Sequence, residues 1–275
     1  MRFGVHLPQY GSAAGPDAIR RAAILAEELG YADLWVSDHV VSPVGQDYPS
    51  PYLFDPLLTL AWAGAVTSRI GLGTSVLVLP QRHPLELANS LASLDALTGG
   101  RVTVVGGVGW SEAEFIALDQ DFHTRGRRTD EIIDILRACW REDPVAFDGD
   151  SYRFAPLRVL PPPAHPIPIW IGGSSEAAFA RAVAKGDGFQ MIGVDPMGAR
   201  PMAERVRRDR PEATFTVSLR TGWDPQGMDT ERIRRERGEF EAAGVQHVVA
   251  APWRRTLEDW LRSVELLAGV VGVGR

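Results

Sequence analysis

The sequence contains one cysteine, Cys139, in 275 residues. An internal disulfide is therefore excluded, and with it the small disulfide-stapled scaffolds. Lysine is almost as scarce: Lys185 is the single lysine among 29 basic residues. The rest is arginine, which reads as codon bias rather than mechanism, although arginine is also the better fork for phosphate. The formal net charge is −6, the wrong sign for a dedicated nucleic-acid binder. No apolar run approaches the roughly 18–20 residues of a membrane span. The stretch MRFGVHLPQYG reads as strand and turn and lacks the apolar segment of a secretory signal. The expectation is a cytoplasmic protein with neither nucleic acid nor membrane as partner. Neither His-x-His nor Cys-x-x-Cys occurs, so no metal is expected.

What is present is rhythm. Apolar residues at 45% and charged residues at 23% supply an ample core, and short apolar runs alternate with amphipathic stretches. The strands read as Arg2–Leu7, Ala32–Ser37, Ile70–Leu79, Arg101–Gly106, Ile167–Ile171, Gly188–Ile192, Thr214–Leu219 and Val245–Ala250. Helices read as Pro16–Leu29, Asp55–Thr67, Pro84–Leu97, a region in pieces up to Trp140, Ser174–Lys185, Asp195–Arg208, Thr230–Ala243 and Thr256 to about Ala268. The segment Pro144–Pro166, with Asp148-Gly149-Asp150 and the run Pro161-Pro162-Pro163, reads as a hairpin-like excursion and not as a barrel strand. Eight strand–helix units in this length point to a closed α/β barrel, the (β/α)8 or TIM-barrel architecture, as one domain over residues 1–275. An open doubly wound sheet rarely reaches eight units in so few residues.

Barrels of this kind carry their sites at the C-terminal ends of the strands. Those positions include Ser37-Asp38-His39, Ser75-Val76-Leu77, Gly106-Gly107-Val108-Gly109-Trp110, Gly172-Gly173-Ser174-Ser175, Arg220-Thr221-Gly222-Trp223 and Ala251-Pro252-Trp253. Glycines, hydroxyls and tryptophans with few charges suit a flat aromatic cofactor. Gly172 to Ser175 joins a strand to a helix, which is either a phosphate cradle on free N–H groups or an ordinary serine N-cap. Gly107 and Gly109 lack the third glycine of a dinucleotide fingerprint. His39 can donate to a cofactor or shuttle a proton, with Asp38 beside it, or it can be a histidine satisfied by local backbone. Glu112 is either an acid near the site or a carboxylate that favours a helix start.

The stretches LWVSDHV (34–40), RIGLGTSVLVLP (69–80), GGRVTVVGGVGWSEAEF (99–115), RGRRTDEII (125–133) and PIWIGGSSEAAFARAVAKGDGF (168–189) resemble the luciferase-like monooxygenase superfamily. They are most similar to its coenzyme F420-dependent oxidoreductase branch. The resemblance implies a barrel holding a flavin-like ring at its C-terminal mouth and a hydride passed between the deazaflavin and a small organic substrate. Asp38 and His39 match the motif that contacts the ring, and Ser75-Val76 matches a non-prolyl cis peptide behind it. Gly107, Gly109, Gly172, Gly173, Ser174 and Ser175 match the phosphate-side segments. His39 and Glu112 match the catalytic pair, and a homodimer through the second and third helices is implied. The alternatives are a monooxygenase using reduced FMN and a non-catalytic flavin-binding relative. The pattern departs at Val40-Val41-Ser42-Pro43, where sugar-phosphate dehydrogenases of that branch carry a tryptophan, and no counterpart of their basic cluster is evident. The short Arg220–Asp229 connection replaces a long insertion. Sugar phosphate is therefore not the expected substrate.

Overall fold

A computed structural model describes residues 1–45 and 50–274. The elements follow the alternation: β1 (Arg2–His6), α1 (Pro16–Leu29), β2 (Asp33–Val36), α2 (Pro56–Gly64), β3 (Gly71–Val78), α3 (Pro84–Thr98) and β4 (Val102–Gly107). Next come α4 (Glu112–Ala117), α5 (Arg125–Cys139), β5 (Val145–Asp148), β6 (Arg153–Leu157), β7 (Ile169–Gly172) and α6 (Glu176–Lys185). The chain then runs through β8 (Gly188–Ile192), α7 (Pro196–Asp209), β9 (Thr216–Thr221), α8 (Thr230–Ala242), β10 (His247–Ala250) and α9 (Leu257–Val271). Helix starts are marked as the sequence suggests. Asp55, Ser175, Asp195, Asp229 and Thr256 accept backbone N–H groups of the first turn, and proline opens α1, α2, α3 and α7. Gly30, at φ 87°, closes α1 in a left-handed conformation that side chains disfavour.

Eight strands close a parallel barrel in the order β1-β10-β9-β8-β7-β4-β3-β2. The excursion before β7 is the antiparallel pair β5–β6, which stands apart from the barrel. The helical region after β4 is in two pieces, α4 and α5. The Ser75–Val76 peptide is cis, and the β3–β4 register shifts between Ser75 and Leu77. Both features match the resemblance. Among the described residues no helix is long and apolar enough to cross a membrane.

The barrel interior is not uniformly apolar. Trp35 and Trp170 fill it with centroids 5.7 Å apart, and His247 lies 5.4 Å from each. A chain of buried hydrogen bonds threads between them. Ser75 Oγ donates to Gln190 Oε1 (2.5 Å), Gln190 Nε2 donates to Ser218 Oγ (3.2 Å), and Ser218 Oγ lies 2.8 Å from His247 Nδ1. His247 Nε2 lies 2.9 Å from Asp33 Oδ1, which also accepts from Trp35 Nε1. Burial pushes the Asp33 carboxyl upward. The charge and hydrogen bond of His247, the Trp35 N–H and the charge of Arg2 outweigh it, so its pKa lies below the ordinary value. A polar chain inside a barrel persists only when each member is paired.

Trp35 fits because Gly4 and Gly73, on the flanking strands, carry no Cβ: one added at Gly73 would overlap the indole ring. Gly73→Ala should therefore destabilise the fold by about 1–3 kcal/mol, the range of core overpacking, in urea unfolding. Unchanged stability would contradict this packing of Trp35.

Candidate active site

Cofactor-sized sites need a cavity of about 300–1,000 Å³, and the C-terminal mouth of the barrel opens into one of about 660 Å³. Its floor is Val76, partly exposed between strands. Gly107 and Gly172 leave room for it: a Cβ on Gly107 would stand 2.5 Å from Val76 Cγ2, and one on Gly172 would overlap Cγ1. Gly109, at φ 77°, turns the chain away from β4, and a Cβ there would press on Val78 and Phe115 at 2.7 and 2.8 Å. Gly173, Ser174 and Ser175 form the β7–α6 turn beside the cavity and do not line it. Ser175 Oγ is the N-cap of α6, accepting from Ala178 N–H at 3.2 Å.

The end of β2 is fixed by side chains. Gln9 donates to the Ser37 and Phe54 carbonyls at 2.8 and 2.6 Å and accepts the Ser37 N–H at 2.7 Å. Asp38 is buried. Its carboxylate accepts the Val78 N–H at 2.9 Å and Arg82 Nη2 at 2.8 Å, and Arg82 reaches Asp55 at 3.3 Å. Asp38 lines the cavity but acts as a clamp between β2 and β3. It does not hold the His39 ring.

Glu114 holds that ring. His39 Nδ1 lies 2.9 Å from Glu114 Oε1 and 3.1 Å from Oε2, and Gln81 Nε2 donates to the same carboxylate at 3.4 Å. Glu114 is 2% exposed at its side chain, whereas Glu112 is 56% exposed, does not line the cavity and stands 3.8 Å from His123. Two residues along a helix are about 200° apart, so the two glutamates face opposite ways. The acid expected at Glu112 therefore points outward. The available signal was Phe115, buried at the position after Glu114, but Ile116 is exposed on the Glu112 face and blurred it.

Sequence reasoning also assigned no role to several mouth residues. Tyr10, Trp253, Arg220 and Ser37 line the cavity. His6 lies just below, with Nε2 2.9 Å from Ser37 Oγ and Nδ1 2.8 Å from the Leu7 carbonyl. Of the three tryptophans at strand ends, Trp110 and Trp253 line the cavity. Trp223 is buried in the core, donating to Glu236 at 2.9 Å.

The site is thus a glycine-walled cavity with a carboxylate-held histidine at the C-terminal mouth of a closed parallel barrel. The luciferase-like monooxygenase family profile matches residues 1–236, and the chain belongs to that family. It is 35% identical over 272 residues to an uncharacterised protein of Mycobacterium tuberculosis, covering 88% of this chain and 90% of the relative. It is 34% identical to the F420-dependent glucose-6-phosphate dehydrogenase of Amycolatopsis mediterranei, over 64% of this chain and 53% of that one. Among solved structures, an F420-dependent secondary alcohol dehydrogenase bound to an F420–acetone adduct superposes with TM-score 0.81. Its identity is 19%, with 100% and 99% of the chains covered. A monooxygenase from Streptomyces bottropensis superposes with TM-score 0.78 at 22% identity, over 98% of each chain.

His6 offers a test of the mouth's electrostatics. Burial first, then the charge of Arg220, push its pKa well below 6.5, against the Leu7 carbonyl, which raises it. The unfolded chain thus takes up a proton that the folded chain refuses. Stability is fully present well above pH 6.5 and is lost as pH falls through and below it, at a slope that approaches about 1.4 kcal/mol per pH unit. Urea unfolding at pH 6.5 and 5.5 should show His6→Asn losing less than the parent by about 1 kcal/mol, since the unfolded ring is already half protonated at pH 6.5. Equal losses would contradict a neutral buried ring.

Proposed function

We propose that this chain is a coenzyme F420-dependent oxidoreductase that moves a hydride between the deazaflavin and a small organic molecule. The single observation that carries the reading is the His39–Glu114 pair beside the Val76 floor. Around it, Gly107 and Gly109 would receive the phosphate side of the cofactor, with Gly172, Gly173, Ser174 and Ser175 next to them. Ser75 and Val76 would back the ring, and Asp38 would keep the mouth in shape. The residues fit such a group: the missing Cβ atoms leave a flat slot against Val76, and the walls mix aromatic and hydroxyl groups. The bound deazaflavin would supply the hydride chemistry. The F420 relatives support the choice over FMN.

The protein's part is binding and proton handling. Glu114 engages Nδ1 of His39, so Nε2 is the nitrogen left to the cavity. Nε2 can take the proton of a substrate hydroxyl in one direction and return it in the other, while Glu114 steadies the ring in both protonation states. Glu112, exposed and paired with His123, is assigned no part. We place the chain in the cytoplasm as one domain and as a homodimer. The support for a dimer is the exposed apolar set Leu58 and Trp62 on α2 with Leu97 on α3.

Titration of the purified chain should give F420 at least roughly tenfold tighter than FMN; equal affinity would favour the monooxygenase reading. Removing a positioned acid or base typically costs about 10²–10⁴-fold in rate, and Glu114→Gln should fall in that range with cofactor affinity nearly unchanged. Glu112→Gln should match the parent. The reverse ranking in single-turnover kinetics would return the role to Glu112. Light scattering at micromolar concentration checks the dimer.

A further inference from the structure

Trp110 follows β4 at the turn made by Gly109 and lines the cavity with 58% of its surface exposed. Its backbone is fixed on both sides. The Gly109 carbonyl accepts Arg125 Nε at 3.3 Å, and the Ser111 carbonyl accepts the Glu114 and Phe115 N–H groups at 3.1 and 3.4 Å as α4 begins. Phe115 is fully buried and anchors that helix. The indole therefore stands on rigid chain with more than half of its surface open. A ligand that covers it gains the free energy of removing apolar surface from water.

Trp110 differs from the other exposed apolar side chains in its neighbour. Its ring centre lies 5.7 Å from that of His39, and the two rings meet edge-on at 69°. Glu114 engages Nδ1 of His39, which leaves Nε2 to the cavity. A hydroxyl bonded to Nε2 brings the rest of its molecule against the indole, because contact needs an approach of only about 4.0–4.5 Å. Val108 and Leu53, both half-buried, line the same cavity. Gln9 draws the Leu53 segment to this end of β2 by donating to both the Ser37 and the Phe54 carbonyls.

The charged side chains of the wall are already engaged. Asp38 accepts from Arg82, Glu114 meets His39, Arg232 donates to Glu236 at 2.7 Å, and Asp195 caps α7. Arg220 donates to the Ser75 carbonyl, and its guanidinium carbon stands 5.3 Å from the centre of the Trp253 ring. A charged group entering the cavity has to disturb one of these contacts or lose its own water, whereas an apolar group displaces water alone.

We infer that Trp110 determines specificity: the substrate is a neutral molecule with a bulky apolar group beside its reacting carbon, and that group sits on the indole with Val108 and Leu53. The inference deepens the proposed function and rests on it, because that reading makes Nε2 of His39 the atom the substrate must reach.

Titration of the full chain with cyclohexanol and with tetrahydropyran-4-ol tests it, with and without F420. The two probes share the ring and the hydroxyl, and the second carries an ether oxygen in place of one methylene. Binding is followed by ¹H–¹⁵N correlation, with the Trp110 indole N–H assigned from Trp110→Phe. Cyclohexanol should bind about tenfold more tightly, the cost of burying an unpaired polar atom, and should shift the Trp110 signal. Trp110→Ala should erase that preference with F420 affinity unchanged, and Trp110→Phe should keep most of it. Equal affinity of the two probes for the parent chain, or no binding of either, would overturn the inference, and that comparison needs no variant to fold. A preference that survives Trp110→Ala would overturn it too, as would loss of F420 affinity in that variant, which would assign the indole to the cofactor. A chain that fails to bind F420 yet prefers cyclohexanol through Trp110 would refute the cofactor reading alone.

Discussion

His39 Nδ1 lies 2.9 Å from a Glu114 oxygen, and much of the mouth is arranged to keep it there. His39 sits three residues past the end of β2, where a free loop would let the ring wander. Gln9 prevents this by binding Ser37 on both sides of its backbone, and Asp38 prevents it by taking the Val78 N–H and the Arg82 fork. Glu114 is fixed in its turn. Arg128 donates to the Pro80 and Asp121 carbonyls at 2.9 and 2.7 Å, tying the turn that carries Gln81 to the segment after α4, and Gln81 reaches the Glu114 carboxylate. A positioned base needs this kind of support, because a displacement of about 1 Å can cost a factor of about 10² in rate.

Below the mouth, the barrel holds polar groups that a simple packing argument would not choose. The chain from Ser75 through Gln190, Ser218 and His247 to Asp33 starts at the residue next to Val76. The Ser75 hydroxyl donates to Gln190 and the Gln190 amide to Ser218, so the Ser75 side chain is held in place. Arg220 fixes the carbonyl of the same residue from above. The floor of the cavity is therefore gripped from both faces, while Gly107 and Gly172 give Val76 its space.

The strands and helices were legible because period, caps and proline–glycine punctuation agreed, and the β5–β6 hairpin could be set aside by its turn and prolines. The positions of Asp38, His39, Ser75, Val76, Gly107 and Gly109 at the mouth were legible as strand ends, although resemblance suggested their roles. The choice between Glu112 and Glu114 was not, because two carboxylates two residues apart on a short helix differ only in the direction they face. Nor was the reach of Arg220, since a strand end does not reveal what its side chain meets across the barrel. Ser175 turned out to have a capping bond that composition alone left open beside a phosphate role.

The most direct test of the His39–Glu114 arrangement is the protonation of the His39 ring nitrogens, read by long-range ¹H–¹⁵N correlation in the uniformly labelled chain and assigned with a His39 variant. The account predicts that the neutral ring carries its proton on Nδ1, shared with Glu114, and that Nε2 is the nitrogen that gains and loses a proton. A neutral ring protonated on Nε2, or one whose tautomer is the same in Glu114→Gln, would contradict it.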